Sequence, residues 1–190
     1  MSNTKAKILE AASTLFLEGG AKALSVRAIA AKADVSTIGI YSHFKGKQGI
    51  LDALFIEASA LVSTAMESGD REPDAHAAMM AAANAYLDFA EQHAAHYRLF
   101  FGESDPDYVP SEEAQEISRD AYKKLLKHAA RLHPDGTPKA RVQETALEFW
   151  ALLHGFVGLT RHAVATNAGI EDWRHFILKT IEDRLDHYLD

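Results

Sequence analysis

The stretch from Ser25 to Lys47, SVRAIAAKADVSTIGIYSHFKGK, constrains this chain more than any other. Two short apolar-patterned segments flank Ala33-Asp34-Val35-Ser36. Val26, Ile29, Ala30 and Ala33 recur at helical spacing in the first, and Ile40 and Phe44 do so in the second. Ser25 and Ser36 each stand where a hydroxyl can accept a hydrogen bond from the free N–H groups of a new helix. Helix, tight turn and capped second helix is the outline of a helix-turn-helix, whose second helix enters the major groove of DNA. The same local pattern also fits an ordinary helical hairpin.

Charge separates the two ends of the chain. The net charge is −7, which taken alone argues against a nucleic-acid partner. Residues 1–50, however, carry seven Lys or Arg against three acidic residues, whereas the remainder carries 13 basic against 24 acidic. A basic head on an acidic body puts the phosphate-attracting field at one end. Cysteine is absent, so no disulfide or thiolate chemistry is available. The opening MSNTKAKILE lacks the apolar run of a signal peptide, and the longest apolar run, 149–159, is too short to span a bilayer. A cytoplasmic protein without a membrane partner is expected.

Helical periodicity recurs along the whole chain, and no segment shows strand alternation. Helices are expected over residues 4–18, 25–32, 37–44, 46–66, 75–91 and 95–101, and again over 112–132, 138–166 and 171–188. Gly19-Gly20 stops the first, and Ser111 followed by Glu112 and Glu113 starts the seventh. Lys123, Lys124, Lys127 and His128 suit the negative end of that helix, and Thr137 with Pro138 reads as cap and first residue of the next. The expected fold is all-α, with a three-helix head over 1–45 and a helical body over 46–190, the fourth helix connecting them.

The head resembles the TetR family of transcriptional regulators over residues 1–51. The resemblance is carried by Phe16, Gly20, Ser25, Ile29, Ala30, Ala33, Val35, Ser36, Tyr41, His43, Phe44, Lys47 and Leu51. Three positions depart from the family's usual pattern. Asp34 stands where Gly is common, Gln48 replaces an acidic residue, and Ile38-Gly39 replaces a pair of small residues. Trp150 with His154-Gly155 is similar to a signature of one C-terminal subclass of the family. The resemblance implies a ligand-responsive, sequence-specific DNA-binding regulator, most simply a repressor, that binds a near-palindromic double-stranded operator as a homodimer.

It also implies the roles of particular residues. Tyr41, His43 and Lys47 are expected to hold phosphates, with Thr37 and Ile38 facing base edges. Ser25, Arg27, Ser36 and Lys45 complete the expected DNA-facing set. In the body, helix 8 is apolar nearly all round over 146–159, more than one small body covers. A dimer face is expected at Phe156, Leu159, Trp173, Ile177, Ile181 and Tyr188. Tyr86, Phe89, His93, Tyr97, Phe101, Trp150 and His154 are expected to line a mainly apolar effector pocket. The effector expected there is a small, largely apolar molecule.

Two other function classes compete. The ten histidines invite a helical metal-binding protein or metal-dependent enzyme, with His93 and His96 at i, i+3 and His154 approaching. No HExxH or comparable ligand spacing supports it, no nucleophile elbow or phosphate-cradling glycine loop is present, and neither a catalytic role nor a cofactor is expected. The other is a helix-turn-helix protein regulated by a protein partner.

Overall fold

The computed structural model describes residues 3–103 and 105–189. Its described residues form helices and turns without a strand. The α-helices are α1 (Asn3–Gly19), α2 (Val26–Ala33), α3 (Thr37–Phe44), α4 (Lys47–Glu67), α5 (Ala75–Gln92), α6 (Ala94–Phe100), α7 (Glu112–Ala130), α8 (Lys139–Thr160), α9 (Val164–Asn167) and α10 (Trp173–Leu189). The expected all-α fold is therefore observed. Two compact units divide the chain. One comprises Met1–Leu61 and His93–Arg119, the other Val62–Gln92 and Asp120–Asp190.

In the first unit, α2 and α3 begin and end as their end residues dictate. Ser25 Oγ accepts from Ala28 N at 3.1 Å, and Ser36 Oγ accepts from Gly39 N at 3.0 Å. Asp34 ends α2 in the left-handed conformation, φ 54°. Val35 N–H then reaches Ala30 O at 3.0 Å, while Asp34 N–H is directed at Ala31 O. These two bonds make a Schellman motif, and Asp takes the left-handed place that Gly usually fills because its short polar side chain tolerates that backbone. Lys45 ends α3 in the same way, φ 58°, with its N–H donating to Tyr41 O at 3.0 Å. Nothing in its side chain announces that conformation.

Ile8, Ala12, Phe16, Ile29, Ile40, Phe44, Ile50 and Leu54 pack into one core under these helices. Ala95 and Leu99 of α6 join it, and the Arg98 guanidinium lies 4.9 Å from the Phe16 ring centre. Helix α6 is thus part of the structure that backs the head, which its local sequence does not disclose.

In the second unit, α5 packs on α8 and α10 around Met79, Tyr86, Phe149, Ile181 and Leu185. Three details differ from expectation. Thr137 does not cap α8: its hydroxyl donates to Pro134 O at 2.8 Å, and Pro138 occupies the cap position instead. Helix α8 ends at Thr160 rather than running to 166, and the chain restarts as the single turn α9. The cations of α7 serve another helix more than their own. Lys124 pairs with Glu67 at 2.6 Å and Lys127 with Asp70 at 2.9 Å. His128 Nε2 donates to Met66 O at 2.8 Å, and Arg131 donates to Glu72 O at 2.9 Å. Together they meet the last residues of α4 and the turn that follows it.

That arrangement makes the second unit acid-sensitive. Lys127 holds the Asp70 carboxyl below its usual range, and Lys124 does the same for Asp120. Burial pushes Glu148 up, but hydrogen bonds from Arg184 and Tyr188 outweigh it and hold it down. Carboxyls depressed in the folded state stabilise the chain above their ordinary values of 3.8 and 4.5, and that stability is lost as pH falls through the depressed values. Thermal melts are expected to show Tm falling as the pH is lowered from ~6 to ~3. A Tm flat over that range contradicts the assignment.

Among the described residues, α4 with the turn after it, residues 47–71, is the helix that is long and apolar enough to be compared with a membrane span. By length and composition alone it is long enough to cross a membrane, and half of its apolar window is buried inside the protein. Its polar side chains have protein partners: Asp52 accepts from Tyr108 and Ser111, Glu57 meets His96, and Ser63 meets Asp120. This is the pattern of a helix that spans a protein core.

Candidate nucleic-acid interface

Helix α3 has two faces of opposite character. Ile40 and Phe44 are buried in the head. On the other side Thr37 is exposed, Ile38 is 79% exposed and Tyr41 is 57% exposed. An isoleucine and a tyrosine held in water on an eight-residue helix contribute nothing to the core. They are the apolar and hydrogen-bonding groups that suit base edges and phosphates. The capping serines fix the backbone beneath them. Each spends its hydroxyl oxygen on its own helix, and both serines are exposed.

The expected basic and polar residues are not equally available. Arg27 on α2 and Lys45 after α3 are exposed, and His43 is half-buried. Tyr41 lays its ring beside Gly46, where an added Cβ would stand 3.3 Å from Cε1. Lys32 is paired with Glu18 at 3.1 Å. Lys47, the first residue of α4, donates to the Asp105 carboxylate. Asp105 lies 58 residues further along the chain, and no local pattern connects the two.

The residues expected at an effector site divide between the units. Tyr86 and Phe89 on α5, and Trp150 and His154 on α8, belong to the second. Tyr86 and Phe89 are buried; Trp150 and His154 are half-buried. The Trp150 ring lies 5.8 Å from that of Tyr122. Burial, with the Arg161 cation adding to it, lowers the His154 pKa below its ordinary value of 6.5, so the imidazole is neutral at pH 7. His93, Tyr97 and Phe101 belong to the first unit, where the rings of Tyr97 and Phe101 lie 4.7 Å apart. Among the described residues, no three His, Asp or Glu side chains converge in a way that could hold a metal ion. His96, half of the pair that invited a metal, faces Glu57 at 3.2 Å instead.

The residues expected at a dimer face also differ in availability. Ile177 and Ile181 are buried inside the second unit, 2% and 0% exposed, so they are core and not surface. The pattern on α10 was right in period but placed on the inward side. Tyr188 donates its hydroxyl to Glu148 at 2.5 Å and lies under Arg184. Phe156 and Trp173 both pack edge-on against Phe176. The outward apolar groups are Leu147 at 51%, Leu159 at 42% and Phe176 at 40% exposed.

Comparison with known proteins bears on this arrangement. Residues 8–54 match the family model for bacterial regulatory proteins of the tetR family. Residues 79–172 match the model for a tetracyclin repressor-like C-terminal domain. The chain belongs to the TetR family of transcriptional regulators. An uncharacterised helix-turn-helix regulator of Bacillus subtilis, YvkB, is 40% identical over 60 residues, which is 32% of this chain and 32% of that relative. The match thus spans about a third of the relative's length. A Mycobacterium tuberculosis regulator, Rv0681, is 25% identical over 158 residues, 81% of this chain and 68% of its own. The fold is similar to that of a tetR-family regulatory protein from Rhodococcus RHA1, with a TM-score of 0.75 and 22% identity over 98% of this chain and 97% of that one. The matched families and relatives are regulators and not enzymes. In this TetR-family chain the first model covers most of α1, then α2, the turn, α3 and the start of α4.

Proposed function

We propose that this TetR-family protein is a cytoplasmic, dimeric, sequence-specific DNA-binding repressor, released from its operator by a small and largely apolar molecule. The observation that carries the DNA reading is the outward face of α3, where Thr37, Ile38 and Tyr41 stand in water on a helix anchored by Ile40 and Phe44. Thr37 and Ile38 lie in the first turn, the part of a recognition helix that meets base edges. Ile38 suits a thymine methyl, and Thr37 can donate or accept. Tyr41 and His43, together with the exposed cations Arg27 and Lys45, supply phosphate contacts that set register without reading sequence.

The proposal separates the two kinds of contact. Ile38→Ala is expected to weaken operator binding by about 1–3 kcal/mol, or roughly 5- to 150-fold, while binding to random DNA is unchanged. Competitive titration of labelled operator against random duplex measures both. Equal loss on both DNAs contradicts base reading by Ile38.

For the effector, Trp150 and His154 on one face of α8 are the anchors. A neutral imidazole beside an indole and Tyr122 accommodates an apolar molecule with one hydrogen-bonding group. Release requires that the molecule bind the DNA-free form more tightly than the bound form. A compound that quenches Trp150 fluorescence yet leaves operator affinity untouched rules out this mechanism.

A further inference from the structure

Lys47 opens α4 beside the helix proposed to read bases, yet its ammonium is not left to solvent. It donates to the Asp105 carboxylate, and both side chains are largely covered, 28% and 21% exposed. That carboxylate is presented by a built turn. Residues Asp105-Pro106-Asp107-Tyr108 close with Tyr108 N–H donating to Asp105 O at 2.9 Å, and proline occupies the second position, where its fixed φ suits a turn. Asp107 N–H donates to Asp105 Oδ1 at 3.0 Å, which leaves Oδ2 for Lys47. Two further bonds pin the turn to α4. Gln48 Nε2 donates to Asp107 O at 3.1 Å, and Tyr108 OH donates to Asp52 Oδ1 at 3.0 Å. Just beyond, Ser111 gives Asp52 both its N–H, at 2.9 Å, and its hydroxyl, at 2.6 Å. Lys47 and the Asp107 N–H hold the Asp105 carboxyl below its usual range, so it is ionised throughout the neutral region.

A carboxylate and a backbone phosphate are the same class of acceptor for an ammonium group. We infer that Asp105 is an internal competitor of the DNA backbone for Lys47, occupying in the DNA-free chain the cation that a phosphate takes in the complex. This rests on the DNA-binding reading above. On binding, Lys47 exchanges one anion for another and Asp105 is left uncovered beside DNA. Lys47 and Asp105 as a pair therefore add almost nothing to the net release of counterions, and Asp105 sets a ceiling on affinity without touching a base.

The test is the salt dependence of binding to a labelled random-sequence duplex by wild type, Asp105→Asn, Lys47→Gln and the double variant. Asp105→Asn keeps the shape of the side chain and an acceptor for Asp107 N–H. It is expected to bind ~3- to 10-fold tighter near 0.1 M salt, with log K against log salt steeper by ~0.9. The double variant, in which the pair is again uncharged overall, is expected to return to within ~0.3 of the wild-type slope, whereas Lys47→Gln alone leaves Asp105 uncompensated beside the DNA and is expected to bind more weakly with a shallower slope. A wild-type slope in folded Asp105→Asn overturns the inference. So does a steeper slope that persists in the double variant, because the effect then does not pass through Lys47. If Asp105→Asn does not fold, Asp105→Ala replaces it in the single and the double variant with the same expectations, and a wild-type slope in Asp105→Ala overturns the inference. Wild type that binds no DNA at any salt defeats the DNA-binding reading itself, and the inference with it. Wild-type binding with an unmoved Asp105→Asn slope defeats only the competition.

Discussion

Gly49→Ala is expected to abolish DNA binding by unfolding the head. Gly49 lies in the first turn of α4, and the left-handed Lys45 followed by Gly46, φ 115°, folds the end of α3 back against it. A Cβ on Gly49 would stand 1.7 Å from Phe44 O and 2.8 Å from Phe44 C. Both atoms are backbone, so no rotamer change relieves the clash. Either α4 moves off the head core, exposing Ile50 and Leu54, or the bond from Lys45 N–H to Tyr41 O is broken. The expected cost is ~4 kcal/mol or more, the range reached only by gross overpacking or lost core. That is comparable to the whole stability of a small unit. Circular dichroism melts of the variant, with duplex titration at the same temperature, measure it. A variant that melts within ~2 °C of wild type and binds DNA normally contradicts the close approach of Phe44 to α4.

The second large effect concerns assembly. Leu147, Ala151, Gly155, Gly158 and Leu159 fall on one side of α8 at helical spacing, and all five are exposed. An added Cβ at Gly155 or Gly158 meets nothing within 4 Å, so nothing inside the protomer requires these glycines. Small residues flanked by exposed leucines let a second helix approach closely, and a two-fold axis through α8 would bring this face against its own copy. Gly155→Glu is therefore expected to leave the protomer folded while placing two carboxylates against each other across the axis. Sedimentation equilibrium at micromolar concentration is expected to change from dimer to monomer. Affinity for a two-half-site operator is expected to fall ~100-fold or more, because the second half-site is no longer engaged intramolecularly. A persistent dimer moves the interface elsewhere on the second unit.

Much of the head was legible because its determinants are local. Apolar residues at helical spacing marked α1 to α4, and the hydroxyls of Ser25 and Ser36 marked where two of them begin. Asp34 was readable as a left-handed residue because its chemistry suits one. Lys45 takes the same conformation with no such signal, since the αL end of α3 is imposed by how α4 packs.

Side-chain partners across long separations were not legible. Lys47 reads as a free cation until Asp105 is folded beside it, and Lys124, Lys127 and His128 read as complements of their own helix until Glu67, Asp70 and the Met66 carbonyl are folded against them. The stripe on α10 showed the right period, but periodicity does not tell which of two apolar neighbours covers it. Ile177 and Ile181 face the protomer's own core, and the exposed apolar groups lie on α8 and at Phe176.

The proposal that α3 reads DNA sequence is tested most directly by selection from a random pool. Purified protein is incubated with randomised duplexes in ~0.15 M salt, and the retained DNA is sequenced through several rounds. The expected product is a near-palindrome whose half-sites are centred about 10 base pairs or a multiple apart, with thymine enriched at one position in each half. In parallel, Ile38→Ala is expected to lose the enrichment at that thymine while keeping the spacing. Retained DNA with no motif beyond that of the unselected pool contradicts sequence-specific recognition by this helix.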